Sequence, residues 1–173
     1  ETRTQHHTMT PRVITFEGKS AVSGLIGAFT GSMQSHCAWQ TREGTLFEAV
    51  DKGFMATPMT DNDPLSPFRK YHPAGTVLHF FEYKIQLTLD EEVLAEEFLS
   101  AIELQPYGFR TLFTFMLHPQ DDPEPGDVIC SEAVLGASIA CHHSLQERLR
   151  PWNCSPADIF HSPLLNWTGT HIL

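Results

Sequence analysis

The sequence has 173 residues, of which 41% are hydrophobic and 18% are charged, and this balance excludes an intrinsically disordered chain. The length suits one domain with a hydrophobic core of its own. The 11 Lys and Arg residues against 21 Asp and Glu residues give a formal net charge of −10, which argues against nucleic acid or an anionic membrane surface as the main partner.

The chain opens with a lead, a strand and a helix. Residues 1–11 are mostly polar and predict a flexible lead, so residues 12–173 are expected to form the single domain. The β-branched, alternating sequence of residues 12–17 predicts a strand. Ser20 can cap a helix that Gly31 ends. The apolar face of that helix consists of Val22, Leu25, Ile26 and Phe29.

A hairpin and a long strand are predicted next. Residues 35–41 and 45–50 predict two strands joined by a turn at residues 42–44. Residues 53–71 hold three prolines and mixed polar residues, which favours a long loop or covering segment. Residues 75–86 are largely apolar and aromatic and predict a strong strand.

The next part of the chain is predicted to be helical. Thr88 and Glu91 have the spacing of a capping box, which opens a helix to about residue 103 before Pro106 stops it. The predicted inner side of this helix consists of Val93, Leu94, Phe98, Leu99 and Ile102. Residues 107–117 favour a helix, with a strand as the alternative.

The last third begins with an acidic, proline-rich loop over residues 118–127. A helix is predicted from Cys130 to about residue 150. Ser155 and Asp158 flank Pro156 in a pattern that caps one short turn, and an irregular tail is expected after it. Because the strands run without βαβ alternation, the sequence predicts an α+β fold with an antiparallel sheet packed against helices.

The four cysteines show no CxxC pairing and no dense framework, so we expect reduced thiols and a protein that is cytoplasmic on synthesis. They are Cys37, Cys130, Cys141 and Cys154. Residues 1–10 lack the apolar core of a secretory signal. No apolar run approaches transmembrane length, so no membrane span is expected.

Cys130 ends a short apolar approach and precedes helix-forming residues. A cysteine in the first turn of a helix meets unpaired backbone N–H groups and the positive end of the helix dipole, which favour the nucleophilic thiolate. The alternative is that Cys130 is a small buried hydrophobic residue beside a core helix.

His36 and Glu48 could complete a site with this cysteine. His36 shares one side of its strand with Ala38 and Gln40, and a histidine on the inner face of a sheet can meet a cysteine at the start of a packed helix. Glu48 lies in the other strand of the hairpin, where it could accept a hydrogen bond from the imidazole and fix its tautomer. The alternatives are a structural histidine and an exposed strand glutamate.

The order of these motifs resembles a known family. A strand and a helix precede a Ser-His strand and a Glu-Ala strand; a helix before Pro-Tyr, an Ile-Cys-Ser-Glu helix and a Ser-Pro-x-Asp turn follow. Over residues 12–165 this order is similar to the circularly permuted papain-like cysteine hydrolases of the NlpC superfamily, in particular the YiiX-like group and its phage-encoded relatives. In these proteins the histidine strand precedes the cysteine helix.

The resemblance implies a permuted papain-like fold and a role for each site residue. Cys130 would be the nucleophile, His36 the base and Glu48 the orienting group. Tyr107 would assist the oxyanion, and Ser131, which matches the Cys-Ser-Glu pattern, would lie with it at the oxyanion or substrate-binding position. One departure is Cys37, since the position after the histidine is usually apolar in the family.

The implied activity is a cysteine peptidase or amidase reaction, with thiolate attack on an amide or ester carbonyl and no cofactor. Relatives cut peptidoglycan peptides, and others act on lipids or transfer acyl groups, so the implied partner is an amide- or ester-containing substrate such as a cell-wall peptide. The family resemblance also implies phage or virion association as one possible setting.

Two other readings compete with a hydrolase. Ligand-type residues for a metal are present, but no pair has the usual zinc spacing, so no metal site is expected. These residues are His36, Cys37, Cys130, Cys141, His142 and His143. The second competing reading is a non-enzymatic virion or effector protein that binds a partner on the same fold.

Overall fold

The computed structural model describes residues 9–18, 31–108 and 128–173. The helix predicted from Ser20 and the acidic loop over residues 118–127 lie outside these ranges. The predicted helical segment at residues 107–117 is described only at Tyr107 and Gly108.

The described residues form an α+β fold around one antiparallel sheet, as the sequence predicts. Its six strands are β1 (Arg12–Glu17), β2 (His36–Gln40), β3 (Leu46–Val50), β4 (Gly53–Thr57), β5 (Val77–Tyr83) and β6 (Leu165–Ile172). They lie in the order β4-β3-β2-β1-β5-β6. The helices are α1 (Leu89–Ala101), α2 (Cys130–Ala140) and α3 (Pro156–Phe160). No helix within the described ranges is long and apolar enough to cross a membrane.

The predicted hairpin is confirmed by the pairing of β2 with β3. Ala38 lies opposite Glu48, and Trp39 lies opposite Phe47. The connecting turn contains Gly44 at a φ of 87°, a left-handed conformation that glycine adopts without steric cost. The hairpin therefore fixes how the strand of the candidate base faces the strand of the candidate carboxylate.

Both faces of the sheet are covered. On one face Cys37 belongs to a buried cluster with residues of α1 and α2. On the other face Ala38 packs with Phe16 and with Phe68, which lies in the segment between β4 and β5. Strand alternation therefore directs His36 and Cys37 to different sides of β2.

The capping box of α1 is confirmed. The Thr88 hydroxyl accepts the Glu91 N–H at 3.3 Å, and the Glu91 carboxylate accepts the Thr88 N–H at 2.7 Å. The two bonds satisfy N–H groups that would otherwise lack a partner at the helix start.

The buried face of α1 differs in part from the predicted one. Leu99 is buried as expected, and Phe98 and Ile102 pack against the core, but Val93 is 52% exposed and Leu94 is 38% exposed. The buried positions are Glu92, Ala95 and Leu99. The Glu92 carboxylate accepts two bonds from the Arg42 guanidinium, and this ion pair turns an acidic position toward the sheet.

Three predictions for other elements are wrong. The segment predicted as a loop from residue 53 begins with β4, because its prolines all lie beyond Thr57. The helix from Cys130 ends at Ala140 rather than near residue 150, since His142 takes a left-handed φ of 64°. The expected irregular tail contains β6, whose mostly exposed side chains give no hydrophobic period to read.

The helices α1 and α2 approach closely at Gly136. A Cβ atom at this position would lie 2.4 Å from the Phe98 ring. The glycine in the middle of α2 is thus explained by helix packing, which holds the Cys130 helix against the rest of the core.

Candidate active site

Cys130 is the first residue of α2, as predicted, and is almost fully buried. Ile129 occupies the N-cap position, and an apolar side chain cannot accept the N–H groups of the first helical turn. The approach to the helix is held in place because Val128 donates to the Pro106 carbonyl at 3.1 Å and accepts from the Gly108 N–H at 3.0 Å. The start of α2 thus presents backbone donors around the thiol.

His36 is the first residue of β2, and its ring packs edge-on against Phe16 at a centroid distance of 4.8 Å. Burial lowers the pKa of this imidazole and the nearby Cys130 raises it, so the two side chains are neighbours. The predicted reason for this contact is incomplete, because Cys37 rather than His36 points into the α2 side of the sheet. The contact forms between the first residue of β2 and the first residue of α2, where the histidine ring can extend past the start of the strand.

Glu48 accepts a hydrogen bond from His36, whose Nε2 lies 3.1 Å from the Glu48 Oε2 atom. The same oxygen lies 2.6 Å from the Nε2 atom of His72. The Glu48 side chain is fully buried. Because an ionised carboxylate only accepts, both Nε2 atoms carry a hydrogen, which leaves the Nδ1 atom of His36 for the thiol.

The charges of the site are coupled. A hydrogen bond with Cys37 and the interaction with His36 hold the pKa of Cys130 well below its usual value, against the opposing effect of burial. Burial alone would lower the pKa of His36, but Cys130 and Glu48 raise it to about 10. Burial would raise the pKa of Glu48, but His36 and His72 lower it to about 2. The three groups therefore favour a thiolate, an imidazolium and a carboxylate.

The two residues expected to bind the oxyanion have different surroundings. Tyr107 forms a parallel bridge with Val128, and burial together with the charge of Cys130 raises the pKa of its phenol, so the two side chains are neighbours. The Ser131 hydroxyl instead donates to the carbonyl of Cys154 and is buried. This bond commits the Ser131 side chain to holding α2 against a neighbouring segment.

Two glutamines close to His36 in the sequence, Gln34 and Gln40, make hydrogen bonds away from the imidazole. Gln40 donates to the carbonyls of Gly44 and Pro64, and Gln34 donates to Glu17. Glu48 is thus the side chain that contacts the His36 Nε2 atom.

The ligand-type residues far from β2 lie apart from this site. Cys141 is buried and donates to the Ser138 carbonyl at 3.3 Å, and the Nε2 atom of His143 lies 3.0 Å from Glu91. The metal-ligand set considered from the sequence is therefore divided between two places. All four cysteines are free thiols.

His72 is the site residue that sequence reasoning missed. It lies 24 positions after Glu48 in the segment predicted as a covering loop, and no motif surrounds it. Its ring is tilted against Phe16 at a centroid distance of 4.5 Å and lies 5.5 Å from the His36 ring. Only the folding of this segment over the sheet brings it to Glu48.

No protein-family model and no curated protein matches the chain. Among solved structures, the chain is similar to the metalloprotein yiiX from Escherichia coli O157:H7, with a TM-score of 0.68 and 15% sequence identity. The match covers 95% of this chain and 98% of that chain. The shared fold agrees with the YiiX-like part of the sequence resemblance, while the permuted papain-like assignment stays a prediction.

Proposed function

We propose that this chain is a cysteine hydrolase of the permuted papain-like type that cleaves an amide bond, with Cys130, His36 and Glu48 as its catalytic residues. The observation that carries the proposal is the placement of the His36 ring, which interacts electrostatically with Cys130 and lies 3.1 Å from the buried Glu48 carboxylate. A cysteine paired with an oriented histidine is the arrangement that activates a thiol as a nucleophile.

The first half of the reaction forms a thioester. The Cys130 thiolate attacks the carbonyl carbon, and the carbonyl electrons move onto the oxygen. When the tetrahedral intermediate collapses, the bond to the leaving group breaks and the His36 imidazolium gives its proton to the leaving amine. Glu48 keeps the ring in one orientation and stabilises its positive form.

The second half releases the acyl group. The neutral His36 ring takes a proton from water while the water oxygen attacks the thioester carbon. The sulfur leaves as thiolate and a carboxylic acid is released, which restores the starting charges. Backbone N–H groups at the start of α2 and the neighbouring Tyr107 hydroxyl are the donors suited to the developing oxyanion.

The preferred substrate class is a peptidoglycan peptide or a related isopeptide. The net charge of −10 disfavours capture of anionic wall polymers and therefore favours short, released peptides. A lipid or acyl-ester hydrolase, or an acyltransferase in which an alcohol or amine replaces water, would use the same residues. A binding protein without activity would need none of this chemistry.

The test compares substrate classes and looks for the acyl-enzyme. Wild-type protein is incubated with soluble peptidoglycan peptides and with acyl esters, quenched in acid and analysed by peptide mass mapping. We expect release of product from the amide substrates and an acyl adduct on the peptide that contains Cys130. An adduct from the esters alone would favour the ester-hydrolase alternative. Absence of turnover and of any adduct would contradict a hydrolase.

A further inference from the structure

The Glu48 carboxylate contacts two imidazoles through only one of its two oxygen atoms. Both His36 and His72 approach the same oxygen, Oε2, at 3.1 and 2.6 Å. The other oxygen, Oε1, is buried and has no hydrogen-bond partner among the described residues. Glu48 is 1% exposed, and leaving a buried carboxylate oxygen without a partner costs free energy.

The three side chains have the donor types and the spacing of a metal site. One ligand atom from each of His36, Glu48 and His72 lies within 4.8 Å of the others. Ligands bound tetrahedrally at Zn–N and Zn–O distances of about 2.0–2.1 Å stand roughly 3.3 Å apart. The distances to Oε2 are 3.1 Å from His36 and 2.6 Å from His72, both shorter than this, so the two rings, His72 above all, would move outward to admit an ion.

We propose that His36, Glu48 and His72 form a binding site for a divalent transition-metal ion of the Zn²⁺ type, and that the bound ion inhibits the hydrolase. Two imidazoles and one carboxylate suit zinc and leave at least one coordination position open. The Oε1 atom gives Glu48 a second oxygen with which to bind. The inhibitory part of this proposal rests on the proposed function, whereas the binding part does not.

Inhibition follows from the proton balance at His36. An ion can bind the two Nε2 atoms only after each releases its proton to solvent. The His36 ring then holds the ion at Nε2 and a proton at Nδ1, so it has no free nitrogen to take a proton from water. The ring also gives its Nδ1 proton to the leaving amine less readily than an imidazolium would. The reason is that the metal-bound ring itself is neutral, and the positive charge belongs to the ion. The same ring therefore cannot serve the metal and the thiol chemistry together.

The binding test titrates the metal-free protein with Zn²⁺ alone in a calorimeter. His72→Gln is the main variant, because the glutamine amide can still donate to Glu48 but is a poor zinc ligand. Its matched control is His79→Ala, which removes a half-buried histidine that pairs with the single carboxylate of Glu17 at 2.9 Å. Cys130→Ser serves as a second control, because it removes the thiolate that could bind zinc on its own.

We expect one Zn²⁺ per wild-type chain, with binding retained in His79→Ala and Cys130→Ser. In His72→Gln the affinity should fall at least about 100-fold, the upper end of what losing an outer-sphere partner costs. Glu48→Gln should give the same loss of zinc affinity. The site can therefore still be tested if one of the two variants fails to fold. Equal affinity in wild type and His72→Gln, or loss in Cys130→Ser, would overturn the site.

An activity measurement separates the two proposals. Zinc that binds as described and stops turnover supports both, and a chelator should restore the rate. Zinc that binds a protein without turnover or acyl adduct supports the site and contradicts the hydrolase. Zinc that binds but leaves the rate of an active protein unchanged contradicts the inhibition while leaving the hydrolase intact.

Discussion

The Nε2 atom of His36 lies 3.1 Å from the Oε2 atom of a fully buried Glu48 carboxylate. A carboxylate without water around it needs positive or hydrogen-bonding partners, and two histidines supply them. The contact settles the tautomer of the candidate base, since the Nε2 atom donates and Nδ1 remains for Cys130.

Replacing Cys130 with Ser should abolish hydrolysis while leaving the fold intact. A serine hydroxyl has a far higher pKa than a thiol, so the existing histidine would not activate it, and we expect a rate loss of at least about 10³-fold. The substitution is small, so the melting temperature should change by only about a few degrees. Initial rates and thermal unfolding should be measured on both proteins. Cys141→Ser is the control, because it changes a buried thiol outside the site, and its rate should equal that of wild type.

Replacing Glu48 with Gln should lower activity by roughly 10²–10⁴-fold, the range for loss of acid–base catalysis. A glutamine amide can turn a donor toward His36 and so no longer stabilises the imidazolium. Steady-state rates on the same amide substrate test this. An unchanged rate would mean that another group orients the ring, and the role of Glu48 would be wrong even if Cys130 is the nucleophile.

The stability difference between wild type and Glu48→Gln should depend on pH in metal-free buffer. The pKa of Glu48 is lowered to about 2 in the folded state, so its ionised form stabilises the fold above its unfolded pKa of about 4.3. This stabilisation is lost as the pH falls from about 4 toward 2. Urea unfolding between pH 3 and pH 6 should therefore show wild type losing its advantage toward the acid end. A constant difference would contradict the buried ion pair.

Cys130 should react with iodoacetamide faster than the other three cysteines in chelator-treated protein. The pKa of its thiol is lowered, whereas burial raises the pKa of Cys37, Cys141 and Cys154. Its labelling should persist near pH 6, because a thiolate is still present there. His36→Ala should slow labelling at pH 6 much more than at pH 9, as read by peptide mass mapping. Equal pH profiles in the two proteins would show that His36 does not activate the thiol.

Replacing Gly136 with Ala should destabilise the protein by about 1–3 kcal/mol, the usual cost of overpacking a core. Helix propensity alone predicts the opposite sign, a gain of about 1 kcal/mol. The new methyl group would lie 2.4 Å from the tip of the Phe98 ring, so this ring would have to move and its packing would be disturbed. Chemical denaturation of wild type, the single variant and the double variant with Phe98→Leu tests the cause. The smaller residue should recover part of the loss, and a stabilised single variant would contradict the close approach.

The sequence was most informative where local chemistry determines the structure. The capping box at Thr88, the turn at Gly44 and the helix start at Cys130 all follow from short-range backbone requirements, and each is found as predicted. The hairpin also brings Glu48 near His36, because residues on paired strands are neighbours whatever the rest of the chain does.

Long-range arrangement could not be read in the same way. The ion pair of Arg42 with Glu92 turns an acidic side chain of α1 inward. The helical periodicity of the sequence does not predict this orientation. β6 was missed because an edge strand with exposed side chains has no apolar alternation. His72 reaches Glu48 only through a segment without motif or period, so the second imidazole of the site could not be predicted.

The distance along the sequence between the β2–β3 hairpin and α2 also bears on biosynthesis. The hairpin carries the proposed base and its carboxylate, yet the proposed nucleophile is contributed by a helix that emerges from the ribosome only after β5 and α1 have been made. Contacts between such remote segments form late in folding, because the intervening chain must first be ordered. Nascent chains that end before residue 128 should consequently be inert toward amide bonds, because they lack Cys130.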